Sequence, residues 1–221
     1  RDSSTSRGLG DVYKRQPFVR YADDSMIFCK SKRAAMRVKE SITRFIENTL
    51  YLKVNKEKTV VSYVRGVKYL GYSFYVMKGK CQLTVHPKSK AKMKSKLKEL
   101  TSRSKGWGYA KRKQKLKEYI RGWVGYYHLA NMKRLLLVTD EWLRRRIRMC
   151  IWKAWKKPKT KVANLIKCGI NKYQAYEWGN TRKGYWRIAD SYILHRAITN
   201  EHLCRAGYAT LMDAYLEWYP K

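Results

Sequence analysis

Acidic residues are scarce in this chain: 16 Asp and Glu stand against 51 Lys and Arg in 221 residues, a formal charge of +35. Self-repulsion on that scale is tolerable only beside a polyanion or at considerable salt, which makes nucleic acid the natural partner. Cysteine is sparse as well. Cys29, Cys81, Cys150, Cys168 and Cys204 are odd in number and widely spaced, with no C-x-x-C pair. That excludes a disulfide framework and a zinc ribbon, and it reads as reduced thiols in a cytosolic protein. No stretch approaches the roughly 20 apolar residues of a membrane span, and the start lacks the apolar core of a secretory signal. The cations are spread along the whole chain rather than gathered on one amphipathic helix, which speaks against a membrane surface. His86, His128, His195 and His202 lack metal-like spacing and are assigned no chemistry.

What remains is the composition of a folded protein. Hydrophobic residues make up 44% of the chain, enough for one large core or two small ones. Aromatics make up 14%, with 18 Tyr and 8 Trp far ahead of 4 Phe. Amphipathic rings interleaved with cations suit base stacking as well as ordinary packing.

Residues 1–16 show no periodicity and read as a leader that is non-native or disordered, a scar outside the fold argument. From Phe18 two short apolar β-forming runs flank the acidic pair Asp23-Asp24, which predicts a β-hairpin. An amphipathic helix is expected over Lys32–Tyr51, from Met36, Ile42, Phe45, Ile46 and Leu50. A turn-like charged segment should then lead into a strand before Val64. A second hairpin should turn at Lys78-Gly79-Lys80. Composition changes at Pro87, beyond which helices are expected over Lys88–Leu100, Lys111–Ala130 and Leu135–Lys157. Pro158 should end the third, and a last helix should start at Asn200 and stop near Gly207.

Adjacent carboxylates on a rigid hairpin turn suit the binding of a pair of Mg²⁺ ions for phosphodiester chemistry. Tyr21-Ala22-Asp23-Asp24 is the candidate, and a plain acidic turn facing water is the alternative reading of those four residues alone. The context resolves it. Tyr21-Ala22-Asp23-Asp24 resembles the Y-x-D-D box of reverse transcriptases. Leu52-Lys53-Val54-Asn55-Lys56-Glu57-Lys58-Thr59 is similar to the L-x-x-N-x-x-K-T segment of group II intron enzymes. Val67 to Phe74 looks like their F-L-G-F block, the primer-grip hairpin. Farther on, Arg121-Gly122-Trp123-Val124-Gly125-Tyr126-Tyr127, Trp142 to Arg148 and Trp152 to Pro158 resemble the maturase-specific region found with these enzymes. The segment Asn180 to Asp190, containing Arg182 and Lys183, resembles the C-terminal part of some bacterial members.

The resemblance to group II intron-encoded reverse transcriptase/maturases implies an α+β protein. Residues 17–86 would form the C-terminal part of a reverse-transcriptase palm, 87–157 a helical thumb/maturase domain, and 158–221 a basic nucleic-acid-contacting segment. It implies RNA-directed DNA polymerase and maturase activity with Asp23 and Asp24 as catalytic Mg²⁺ ligands. Tyr21 and Ala22 would shape the primer and nucleotide site, and Tyr69, Leu70, Gly71 and Tyr72 the primer grip; Gly71 is read as allowing close backbone approach. RNA contacts are expected at Arg121, Arg144, Arg145, Arg146, Arg148, Lys153, Lys156, Lys157, Arg182 and Lys183. The implied partners are intron RNA, a DNA target or primer, and deoxynucleoside triphosphates, in a cytoplasmic, nucleoid-associated ribonucleoprotein. The family also uses fingers, early palm blocks and a third metal-binding aspartate. None is recognised before Phe18, so the chain as given is expected to be inactive in DNA synthesis by itself. The cysteine spacing offers no C-terminal endonuclease. A non-catalytic, RNA-binding splicing cofactor is the alternative function.

Overall fold

The computed structural model describes residues 17–22 and 24–219; the leader reading of residues 1–16 and the roles given to Asp23 fall outside the described residues. The chain forms two compact units that meet in sequence between Gln82 and Leu83.

The first unit opens with an antiparallel hairpin, β1 (Phe18–Tyr21) and β2 (Asp24–Ile27), in the register Phe18↔Ile27 and Tyr21↔Asp24. Ala22 has φ 50°, the left-handed conformation that such tight hairpins use to match strand twist. Helix α1 (Lys32–Asn48) follows, capped by the Ser31 hydroxyl, which accepts the Ala34 N–H at 3.2 Å. Ile42, Phe45 and Ile46 are half-buried, whereas Met36 and Leu50, assigned to the same stripe by spacing, are exposed.

The strand expected to lead up to Val64 does not form. Asn55 instead folds residues 55–59 into a turn, its side chain accepting the Lys58 N–H and its carbonyl the Thr59 N–H. Such local bonds compete with a strand ladder. A 3₁₀ turn (Val64–Gly66) then leads to a three-stranded antiparallel sheet of order β3 (Lys68–Tyr69), β4 (Tyr72–Met77) and β5 (Lys80–Val85). Both of its connections are two-residue turns with positive φ throughout: Leu70 at 49° and Gly71 at 81°, then Lys78 at 49° and Gly79 at 72°. Gly71 is therefore required by turn conformation.

The second unit is helical. Helices α2 (Pro87–Leu100), α3 (Tyr109–Tyr127), α4 (Lys133–Ala154), α5 (Pro158–Lys167) and α6 (Lys172–Gly179) precede four short helices, α7 (Tyr185–Ile188), α8 (Tyr192–Ala197), α9 (Asn200–Arg205) and α10 (Leu211–Leu216). Pro158 occupies the first position of α5, where its missing N–H costs nothing, and α4 ends earlier, at Ala154. Gly207, with φ 83°, follows α9 as expected of a helix stop.

Apolar residues at i, i+4 and i+8 line the inner face of α3: Leu116, Ile120 and Val124 are all at or below 1% exposure. Met93 and Leu97 of α2 and Leu136, Leu143 and Ile147 of α4 are buried likewise, and α2 packs on both α3 and α4. Helix α10 packs on both α3 and α4, and α7 on α4, so residues beyond 157 share the core of those before. The Asp140 carboxylate on α4 accepts the Leu211 and Met212 N–H groups at 2.8 and 2.9 Å, capping α10 from the side. Burial pushes that carboxyl above its usual range against the pull of both N–H groups.

Helices α5 and α6 pack tightly enough to require glycine at their crossing. A Cβ added to Gly179 would lie 2.6 Å from Val162 Cγ2 and 3.3 Å from the Val162 backbone nitrogen. Gly179→Ala is expected to destabilise the protein by about 1–3 kcal/mol through overpacking. In thermal melts the midpoint should fall by about 2–4 °C per kcal/mol, and adding Val162→Ala should recover part of the loss. A melting point unchanged by Gly179→Ala would refute the close crossing.

Candidate nucleic-acid interface

In the first unit the structure places the hairpin residues Tyr21, Ala22 and Asp24 at the surface, with Tyr21 65% exposed. Asp24 opens β2 directly opposite Tyr21, so its carboxylate stands beside the turn. Arg20 Nε donates to the Ala22 carbonyl at 2.9 Å, bracing that turn from the β1 side. The second hairpin carries Tyr69 and Tyr72 as direct cross-strand partners, with Leu70 and Gly71 at its tip. The Tyr69 hydroxyl is buried without a hydrogen-bond partner among the described residues. No cluster of three or more potential metal ligands occurs among the described residues. The donor chemistry nevertheless suits a hard cation, since Asp24 is an exposed carboxylate adjacent in sequence to a second one.

In the second unit the excess charge concentrates. From Lys88 to Arg121 there are 14 Lys and Arg and only two acids, Glu99 and Glu118. Each acid is already occupied: Glu99 pairs with Lys105 at 2.6 Å and Lys96 at 2.8 Å, and Glu118 with Lys115 at 2.9 Å. Hydrogen bonds from Lys105 and then Lys96 hold the Glu99 carboxyl down at about 2. Most of the remaining cations on these helices are left for an external anion.

Cations of α2, the loop after it and α4 lie over aromatic rings. Lys94 and Arg146 both sit 5.3 Å from the Trp142 ring. Arg103 and Lys153 lie 5.1 and 5.2 Å from Tyr185. Lys105 stands 4.6 Å from Trp107, and Arg145 only 3.8 Å from the exposed Trp186. Rings and cations thus alternate across α2, the loop at 101–108, α4 and α7, an arrangement suited to phosphate contact and base stacking together. Of these residues, sequence reasoning does not assign Lys94, Arg103, Lys105 or Trp107 to RNA. Their signal is present in the alternating lysines of α2 and the Gly106-Trp107-Gly108 turn.

The four arginines of α4 do not share one surface. Arg148 is 3% exposed; its Nε donates to the Ile198 carbonyl and its Nη2 to Asn200 Oδ1, each at 2.8 Å. Arg146 donates to the Thr101 hydroxyl at 2.6 Å and to the carbonyls of Lys98 and Thr101. Arg145 pairs with Asp190 at 2.9 Å and donates to the Trp186 carbonyl. Burial pushes the pKa values of Arg146 and Arg148 down. Arg148 is therefore a structural cross-link within the fold, a correction to its reading as an RNA contact, and Arg145 and Arg146 are half-committed to the protein. The physical cause is that α4 buries residues 147–150 in succession, which carries position 148 inward whatever its charge. Arg121, Lys153, Lys156, Lys157, Arg182 and Lys183 are exposed, and Arg144 is half-buried.

Two family models match this chain. The model described as "Group II intron, maturase-specific domain" matches residues 90–169, and that described as "Reverse transcriptase (RNA-dependent DNA polymerase)" matches residues 5–74. The second match takes in residues 5–16 as well as the Asp24 hairpin and the turn at Leu70-Gly71. A comparison with curated proteins found no match. The fold and the matches define a nucleic-acid-binding protein of the reverse-transcriptase class, a partial palm followed by a helical maturase domain. More particularly, the two matches together support a group II intron-encoded reverse transcriptase/maturase, with RNA-directed DNA polymerase and maturase function. No helix among the described residues is long and apolar enough to cross a membrane.

Arg148→Met is expected to lower stability by about 1–3 kcal/mol, because it leaves the buried Ile198 carbonyl without its donor and releases the Asn200 side chain. Urea unfolding should show the loss, while the salt dependence of RNA binding stays as in the wild type. A flatter salt dependence at unchanged stability would return Arg148 to the RNA surface.

Proposed function

We propose that the helical unit clasps intron RNA through the cation–aromatic band of α2, the 101–108 loop, α4 and α7. Arg121, Arg144, Lys153, Lys156, Lys157, Arg182 and Lys183 would extend that contact. The observation that carries this reading is the uncompensated charge between Lys88 and Arg121, with cations seated over rings beside it. Positive charge without acids is costly in isolation and is offset by phosphate. The rings fit RNA better than a uniform polyanion, since exposed single-stranded bases stack on aromatic faces and guanidinium planes.

We further propose that Asp23 and Asp24 would hold Mg²⁺ for RNA-directed DNA synthesis. When bound, the metal activates the primer hydroxyl and neutralises triphosphate charge. Tyr21 and Ala22 would shape the nucleotide site from the same turn. Tyr69, Leu70, Gly71 and Tyr72 would position the primer end, with the left-handed turn at Leu70-Gly71 presenting the backbone. The support is Asp24 standing exposed at the mouth of a two-residue turn braced by Arg20. In this reading splicing assistance rests on the helical band and polymerisation on the hairpin. Intron RNA, DNA primer and deoxynucleoside triphosphates are the partners, within a ribonucleoprotein.

Asp24→Asn in the full-length intron-encoded protein is expected to abolish primer extension while intron RNA binding persists. Extension that survives the change would remove Asp24 from the metal site. The combined replacement of Lys94, Arg103, Lys153 and Arg182 by Gln should flatten the dependence of RNA affinity on salt by about 0.7–0.9 in log–log slope for each phosphate no longer neutralised. An unaltered slope would move the RNA surface elsewhere.

A further inference from the structure

Two buried polar atoms of the helical unit have no hydrogen-bond partner among the described residues: Nε of Arg112 and the hydroxyl of Tyr208. Arg112, 4% exposed, lies in the first turns of α3; Tyr208, 7% exposed, follows Gly207 in the bend between α9 and α10. The two belong to one place. The neighbouring Lys113 Nζ donates to the Ala206 carbonyl at 2.8 Å, tying the start of α3 to the bend that carries Tyr208.

Arg112 heads the apolar line of α3, four residues before Leu116, so a permanent cation occupies a core position. No carboxylate pairs with it among the described residues. The nearest acid on its own helix, Glu118, is held by Lys115 and Gln114, and Asp140 is committed to the α10 backbone. The surrounding polar groups are also donors already in use. The Cys150 thiol donates to the Thr101 carbonyl at 3.1 Å, and Arg146 bonds to Thr101 and Lys98. Tyr208 cannot supply the missing charge either, because burial pushes its phenol up to about 12 and keeps it neutral.

The site therefore holds a permanent cation facing the phenols of Tyr109 and Tyr208, with an unpartnered N–H on Arg112, an unpartnered hydroxyl on Tyr208 and no carboxylate among the described residues. A water molecule would accept from both but bring no charge, and a buried cation without a counter-charge is strongly unfavourable. We propose that Arg112 and Tyr208 form a binding site for a small inorganic anion of chloride size, which accepts a hydrogen bond from each and locks the C-terminal bend onto α3. A phosphate oxygen of bound RNA offers the same chemistry, but the depth of both groups favours a free ion.

The test uses the full chain without RNA, melted in sodium chloride, sodium bromide and sodium gluconate at equal ionic strength. Chloride and bromide are expected to raise the midpoint by about 2–4 °C over gluconate. Arg112→Met and Tyr208→Phe should each abolish that difference. Tyr208→Phe removes a single hydroxyl and carries the test should Arg112→Met fail to fold. Crystals soaked in bromide should show an anomalous peak within hydrogen-bond reach of both side chains. Equal melting in chloride and gluconate, or an increment that survives Tyr208→Phe, would overturn the assignment. An increment given by an RNA oligonucleotide and by no halide would place an RNA phosphate there and equally refute the free-ion site.

Discussion

The helical unit is organised by a helix that loses its solvent side along part of its length. Residues 147 to 150 of α4 are buried one after another, followed by Trp152, so this stretch packs against neighbours all round. In a chain whose cations outnumber its acids by 51 to 16, a helix so enclosed draws charge inward with it. What answers that charge is mostly backbone. Arg148 is held by the carbonyl of Ile198, which ends α8; Arg146 by those of Lys98 and Thr101, which end α2; Lys113 by that of Ala206, which ends α9. The last carbonyls of a helix lack intrahelical partners and carry the negative end of its dipole. Helix ends thus take the place of carboxylates that the sequence lacks, and they do so where the short C-terminal helices meet the long ones.

That arrangement leaves the few acids free for other tasks. Glu99 draws Lys96 and Lys105 together and pins the loop after α2; Asp190, between α7 and α8, engages Arg145; Asp140 caps α10. Each acid fixes a loop or a helix end, and of the lysines of α2 the three pair with Lys96 alone. Since backbone dipoles answer the inward charge of Lys113, Arg146 and Arg148, the exposed cations remain available to phosphate. The rings beneath several of them add a contact that does not weaken with salt as a pure ion pair does.

Much of this is legible in the sequence, and for identifiable reasons. Period-two apolar runs around Asp23-Asp24 and the glycines at 71 and 79 specify the hairpins, because two-residue turns demand left-handed backbone that glycine adopts without steric penalty. The long helices follow from spacing such as Leu116, Ile120 and Val124. The ordered motif blocks lead to the family, and the two model matches fall on the palm and maturase segments they indicate. The segment before Val64 misleads because apolar Val60 and Val61 suggest a strand, whereas Asn55 bonds its own backbone. Arg148 is misplaced when charge is equated with exposure. The uncharged run Met149-Cys150-Ile151-Trp152 beside it already indicates a helix with no outward face. No one-dimensional pattern announces that a carbonyl fifty residues away will accept the guanidinium.

The palm-derived unit follows a different logic, with strain in place of buried charge. Ala22, Leu70 and Lys78, all with side chains, adopt φ of 49–50° at the first position of their turns. Left-handed backbone costs such residues on the order of 1 kcal/mol each. Glycine would relieve the strain at every one of the three, but it would also widen the conformations open to the tip. A side chain at the first turn position keeps the strands in one register, and at 70 it is followed by a glycine that completes the bend. Two of the three turns are those at Ala22 and Leu70, beside the exposed Asp24 carboxylate and within the proposed primer grip. The residues proposed above for polymer chemistry thus sit on or beside tight turns, where a shift of one residue in register would turn Asp24 to the opposite face of the sheet.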